Sequence, residues 1–360
     1  MNVRARTSPR APLVAGVAAL ALLASSCSLA GGGGDGGGSA ADDDTVVLLT
    51  HSDFVMPDAL QQRFESETGL DLQIQQSDSV GALVTGLVDD AGRPAGDVAF
   101  GVDNTFASRT LDDDVFASYG EALPPGVADF ALEGDDEGRL VPVDSSDVCV
   151  NVDTTWFAAR DLAPPRTLAD LTDPDYRGLL VTPSAAYSST GLAFLLASVS
   201  EFGEDGWEDY WTDLMANDTL VVQDWTNAYQ GEFTQGGEGG DRPIVVSYAS
   251  SPPFTVGDDG EPTTEALLDT CYGQVEYAGV LEGAAHPEAA RELVDFLVGD
   301  EMQAALPEAM YVYPVAAGVE LPADWAQFAP RSEDPRAVDP AEIEANRQEW
   351  LTEWTDLTTR

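Results

Sequence analysis

From Thr45 onward, short apolar runs alternate with longer segments whose apolar residues recur at helical spacing, and this alternation constrains the fold more than any other feature of the chain. VVLLT reads as a buried strand. PDALQQRFESETG reads as a helix, with Pro57 near its start, Leu60 and Phe64 on one face and Gly69 past its end. LDLQIQQ alternates as a strand, SVGALVTGLVDDAG is helical, and DVAFGVDN is a second buried strand. Alternation of this kind predicts parallel sheets with helical crossovers, in which ligands sit beyond the carboxyl ends of the strands. His51 to Phe54, Asp78 with Ser79, and Asp103 with Asn104 all follow strands in that way. Ser79 and Asp78 also suit a helix cap, and a helix start receives an anion equally well.

The grammar repeats from LVPVDSSDVCVNVD, which reads as a strand entering a second lobe, through the strand LLVTP. Ser188 and Ser189 then open the apolar helix GLAFLLASVSEFG, offering hydroxyls and free backbone amides. Trp207 and Trp211, four apart on one helical face, read as core, as do Trp350 and Trp354 on the amphipathic terminal helix. PEAARELVDFLVGDEMQAALP reads as one helix, and His286 before it as a surface residue. A chain of 360 residues exceeds one compact core, so two α/β lobes are expected.

Charge and composition exclude several functions. The net charge of −48 opposes nucleic-acid binding. All 16 basic residues are arginine, so a P-loop lysine, a Schiff-base lysine and a Ser-x-x-Lys site are impossible, and two histidines make a multi-histidine zinc site a poor reading. Arg4, Arg6 and Arg10 precede the apolar run Ala11 to Leu23 and then small residues before Cys27, which is the order of an export signal. LASSC resembles a bacterial lipobox with alanine where leucine is usual, so residues 1–27 are expected to be a lipoprotein signal ending at an acylated Cys27. Residues 28–44 are a Gly-rich tether. With Cys27 lipidated, Cys149 and Cys271 remain, as one disulfide or two buried thiols.

The segment from Val221 to Phe254 concentrates the chemistry. It carries Trp225, Tyr229, Tyr248, Ser251 and Phe254 beside turn residues in an acidic chain, a combination suited to an organic cation. DWTNAYQGEF, VSYASSPPF and YVYPVA, with TLADLTDPDYRG and the Asp97 to Asn104 strand, resemble in order and spacing the thiamine-binding solute receptors of bacterial ABC transporters. These belong to a two-lobed class that includes ferric-ion and polyamine receptors. The resemblance covers most of Thr45 to Arg360. It implies a type II periplasmic-binding-protein fold, each lobe a mostly parallel sheet flanked by helices, with hinge strands between. Residues 45–144 and 274–360 would form lobe 1, and 145–273 lobe 2.

It further implies that Trp225 and Tyr248 are pocket aromatics, with Phe254 where tyrosine is usual, Tyr311 where tryptophan is usual, and His51 replacing a further tyrosine. Asp78 and Ser79 match the residues after the second strand, and Ser188 or Ser189 the hydroxyl that meets the ligand's hydroxyethyl or phosphate end. Asp103 is the alternative acceptor for the pyrimidine amino group. The implied protein is a monomeric, lipid-anchored receptor on the outer face of the cell membrane. It binds thiamine or its phosphates without cofactor or catalysis, and its partners are a permease and an ATPase. A polyamine, another heteroaromatic cation or ferric iron is the alternative cargo. A secreted serine hydrolase using SYASSP and His51 lacks the Gly-x-Ser-x-Gly elbow.

Overall fold

The computed structural model describes residues Asp44–Thr359. The signal expected at 1–27 with Cys27, and the expected tether up to residue 43, lie outside the described residues. Among the described residues there are nine strands and ten α-helices, alternating through β1 to β5 and less strictly beyond. The first part runs β1 (Thr45–His51), α1 (Asp58–Thr68), β2 (Asp71–Ser77), α2 (Val80–Asp89), β3 (Val98–Asp103), α3 (Ala107–Asp112) and β4 (Val141–Asp153). The second runs α4 (Thr154–Ala158), β5 (Leu180–Pro183), α5 (Ser189–Phe202), α6 (Trp207–Ala216), β6 (Leu220–Val222), β7 (Ile244–Tyr248) and β8 (Thr264–Val280). The chain ends with α7 (Pro287–Leu297), α8 (Asp300–Met310), β9 (Tyr313–Pro314), α9 (Ala323–Phe328) and α10 (Pro340–Thr358).

Local chemistry sets these boundaries. Gly69 ends α1 in the left-handed region at φ 77°, its N–H donating to the Glu65 carbonyl, a conformation that glycine adopts without a Cβ penalty. Ser79 caps α2 by accepting from the Ala82 amide at 3.1 Å. The segment read as one long helix after His286 breaks at Gly299, whose extended backbone separates α7 from α8. His286 itself is half-buried rather than on the surface, because its N–H donates to Asp97 Oδ1 at 2.9 Å.

The strands form one sheet in the order β2-β1-β3-β8-β4-β7-β5-β6, with β9 against β4. Each flank is parallel, β1 pairing with β2 and β3, and β5 with β6 and β7. The ladders joining the flanks, β3/β8, β8/β4 and β4/β7, are antiparallel, so "mostly parallel" holds only away from the joint. β4 has 13 residues and β8 has 17, and they pair from Val141↔Ala278 to Asp153↔Thr264. Their register slips between Val148 and Val150, where Cys149 and Cys271 form a disulfide.

Two large apolar clusters cover the sheet. One gathers α1, α7 and α8 around β1 and β3 through Phe64, Phe100 and Leu293. The other reaches from Val84 on α2 to Trp207 and Trp211 on α6, and includes Trp350 and Trp354 of α10. Trp354 meets Trp211 edge-on at 5.5 Å, while Arg347 on the same helix lies over Phe106 at 5.0 Å. The last helix therefore grips both flanks of the sheet, although its sequence follows the first. Among the described residues no helix is long and apolar enough to cross a membrane.

Candidate functional site

Carboxyl ends of strands from both flanks converge on one narrow cleft, where such sheets place their ligands. β1 delivers His51, followed by Ser52 and Asp53; the turn after β2 delivers Asp78 and Ser79. From the other flank come Ser188, Ser189 and Thr190 at the start of α5, Asp224 and Trp225 after β6, and Tyr248 at the end of β7. Glu276 rises from β8 in the middle. Thr226 donates to Asp53 Oδ1 at 3.2 Å, joining the two sides across the mouth. The cavity volume is about 30 Å³, far below that of a two-ring guest, so such a guest requires the walls to part.

The aromatic wall is a contiguous block. Trp225 stacks on Tyr229 with centroids 5.1 Å apart and planes at 9°, and meets Tyr248 at 5.8 Å and Tyr311 edge-on at 5.3 Å. Its Nε1 donates to Ser247 Oγ at 2.8 Å, and that hydroxyl pairs with Ser251 Oγ at 2.8 Å. Tyr311 stacks on Phe254 at 3.6 Å, and its carbonyl accepts from Ser250 Oγ. The indole is thus locked at both face and edge. Facing it stand carboxylates with no arginine among the cleft residues.

A family model described as bacterial extracellular solute-binding protein matches residues 94–334. The chain belongs to this solute-binding family. The receptor is 26% identical over 310 residues to the thiamine-binding periplasmic protein of Salmonella typhimurium, covering 84% of this chain and 88% of that one. It is 26% identical over 307 residues to the protein of the same name in Escherichia coli, with the same shares. Among solved structures, a periplasmic thiamin binding protein superposes with a TM-score of 0.76 at 25% identity, covering 88% of this chain and 96% of that one. Iron-bound HitA of Pseudomonas aeruginosa shares the fold, with a TM-score of 0.69 at 20% identity over 87% of this chain and 99% of that one. The two-lobed fold class and a role as an extracytoplasmic solute receptor follow.

Within the receptor, the residues singled out from sequence divide into two groups. His51, Asp78, Ser79, Ser188, Ser189, Trp225 and Tyr248 line the cleft. Tyr229, Ser251, Phe254 and Tyr311 are brought to the same block but reach the cleft through Trp225. Asp103 and Asn104 do not line the cleft, and the fold engages their polar atoms. Asp103 is fully buried and accepts from the Thr105 amide at 2.8 Å and from Gln274 Nε2 at 2.9 Å. Asn104 bridges to β8 through the Val275 amide and the Gly273 carbonyl, both at 3.1 Å.

Sequence reasoning missed Asp53, Asp224 and Glu276. Asp53 and Asp224 adjoin residues already chosen. Glu276 had one signal, an acid within the otherwise apolar strand end VEYAGV.

The electrostatics of the receptor's cleft are unusual. His51 Nδ1 accepts from the Asp53 amide at 3.3 Å, leaving its ring proton on Nε2, which lies 3.4 Å from Glu276 Oε1. Burial opposes charge on that ring, but the Glu276 carboxylate, with Asp53 and Asp103 beyond it, outweighs burial and raises its pKa. Burial likewise raises the Asp53 carboxyl. The Tyr248 phenol is pushed well above its usual value, by burial first and by surrounding carboxylates next, so it remains a neutral ring and donor. The imidazole fits because of Gly101: a Cβ there would stand 2.1 Å from His51 Cδ2, and the residue's φ of 95° favours glycine.

Proposed function

We propose that this receptor captures thiamine, or a thiamine phosphate, in the cleft and delivers it to an ABC permease driven by an ATPase. The carrying observation is the Trp225 block, an indole and Tyr248 facing a rim of carboxylates. A thiazolium cation against such rings gains about 0.5–2 kcal/mol per well-placed ring, most when desolvated. Asp78 is assigned to the pyrimidine amino group, and the α5 start with Ser188 and Ser189 to the hydroxyethyl or phosphate end. The relatives named for thiamine support the same reading.

Ferric iron suits the cleft less well, because Tyr311 and Tyr313, the tyrosines that would have to join Tyr248 as ligands, do not line it. The SYASSP serines support scaffolding rather than attack, since Ser247, Ser250 and Ser251 are engaged with Trp225, Tyr311 and one another.

In this reading residues 45–144 and 274–360 form one lobe and 145–273 the other, with β4 and β8 as the hinge. Export ends at an acylated Cys27 that anchors the chain to the outer face of the cell membrane, residues 28–44 serve as the tether, and the receptor acts as a monomer. Titration calorimetry should detect thiamine or its phosphates in preference to spermidine or ferric iron. Trp225→Ala should weaken binding by about 1–3 kcal/mol through lost stacking and cation attraction. Unaltered affinity in that variant removes the aromatic assignment, and preference for spermidine or iron replaces the ligand. Cys27→Ala should abolish incorporation of a labelled fatty acid in cells, and persistent labelling would reject the anchor.

A further inference from the structure

Where β4 crosses β8, Asp144 and Glu276 are registered directly opposite each other. Opposed residues of an antiparallel pair project to the same face with Cβ atoms about 5 Å apart, and like charges there repel. Asp144 is fully buried, and neither of its carboxyl oxygens has a hydrogen-bond partner among the described residues. Glu276 is 7% exposed and lines the cleft. Two buried carboxyls at this range do not both ionise, and the proton belongs on the one farther from water. Burial first, and Glu276 second, push the Asp144 carboxyl well above the usual range. A protonated Asp144 is a donor, which gives its orphaned oxygens a role: holding Glu276 from behind.

Glu276 then keeps the negative charge and presents it to the cleft. The groups facing it and His51 are Asp53 after β1, Asp103 at the end of β3, Asp144 on β4 and the neutral Tyr248 phenol on β7. No arginine forms an ion pair with Glu276 among the described residues; its one basic neighbour is His51. Of the other rim acids, Asp224 Oδ1 accepts from Asn227 and Asp53 Oδ1 from Thr226, while Asp78 is the acid assigned above to the pyrimidine amino group.

We propose that Glu276 is the carboxylate that receives the solute's positive charge, with Asp144 as the positioning residue that donates to it from behind. The assignment rests on the cationic-solute reading above and names the residue that makes the cleft select a cation. It also gives the long hinge strand a direct contact with the guest, beside the aromatic wall at Tyr248.

The test compares thiamine with a neutral isostere in which a thiophene ring replaces the thiazolium. Glu276→Gln, nearly isosteric, should lower thiamine affinity by about tenfold or more while changing affinity for the thiophene compound by less than about threefold. Glu276→Asp, which retains the charge, should lose less than Glu276→Gln. Asp144→Ala should weaken thiamine binding and Asp144→Asn, which restores a donor, should rescue it.

A second readout needs no ligand. The His51 imidazole resonance, distinguished from that of His286 by a His286→Gln variant, should titrate at lower pH in Glu276→Gln than in the otherwise unchanged protein. An unmoved His51 titration, unchanged thiamine affinity, or equal loss for both compounds overturns the proposal. If the unmodified receptor binds neither compound, the thiamine reading falls by itself, and the His51 titration still decides whether Glu276 carries the charge.

Discussion

At the scale of single residues, the cleft depends on a few backbone positions that carry no ligand chemistry of their own. Gly101 is the clearest. It sits in β3 at a register slip between Phe100 and Val102, and the space a side chain would take is filled by the His51 ring. Gly101→Ala should therefore destabilise the receptor by about 2 kcal/mol or more, from the positive φ and the collision together, as read by denaturant melts. It should also weaken solute binding, because the clash pushes the His51 ring toward the cleft. A normal melt with normal affinity would show that the ring's place against β3 is unimportant. DVAFGVDN disclosed a strand, but nothing in it disclosed which side chain would lie over its glycine.

At the scale of elements, β4 and β8 do two tasks. They close the sheet between its parallel flanks, and they carry Cys149 and Cys271, which are bonded to each other across a sequence separation of 122. A link that closes so long a loop restricts the unfolded chain strongly, and loss of such a bond usually costs about 2–4 kcal/mol. Reduction, or the double change Cys149→Ala with Cys271→Ala, should lower stability by that amount in guanidinium melts without abolishing solute binding, since neither cysteine lines the cleft. The elements themselves were largely legible. Ser79 and Gly69 punctuated α2 and α1 where capping chemistry predicts, and Trp207, Trp211, Trp350 and Trp354 are buried as their spacing implied. Pairing was not legible, because the antiparallel joint depends on which segments meet, whereas the break at Gly299 falls at a glycine that the reading as one helix ran through.

At the scale of the whole molecule, the dominant fact is a net charge of −48 with no lysine. Self-repulsion of that size opposes the compact state and is screened by salt, so the melting temperature should rise by several degrees between about 0.05 M and 1 M sodium chloride. A flat dependence would mean that the surface acids are already locally balanced. The same charge draws cations toward the cleft, whose rim repeats the sign of the whole surface.

The sequence by itself determined the α/β alternation, the solute-binding resemblance and most of the cleft's walls, because hydrophobic period, capping residues and aromatic spacing are local properties. Strand ends and helix starts pointed to His51, Asp78 and the two serines at 188 and 189, and the clustered aromatics to Trp225 and Tyr248, but their roles in one pocket came from the resemblance. Tertiary structure alone decided what each acid does. Asp103 and Asn104 look as available as Asp78 in the sequence, yet their polar atoms are taken by Thr105, Gln274 and β8. Glu276 is a lone acid in an apolar strand end, and only the register of β8 against β4 sets it opposite Asp144 and at 3.4 Å from His51. Strand register and burial fix whether a carboxylate is spent on the fold or left for a ligand, and neither is written in the identity of the residue.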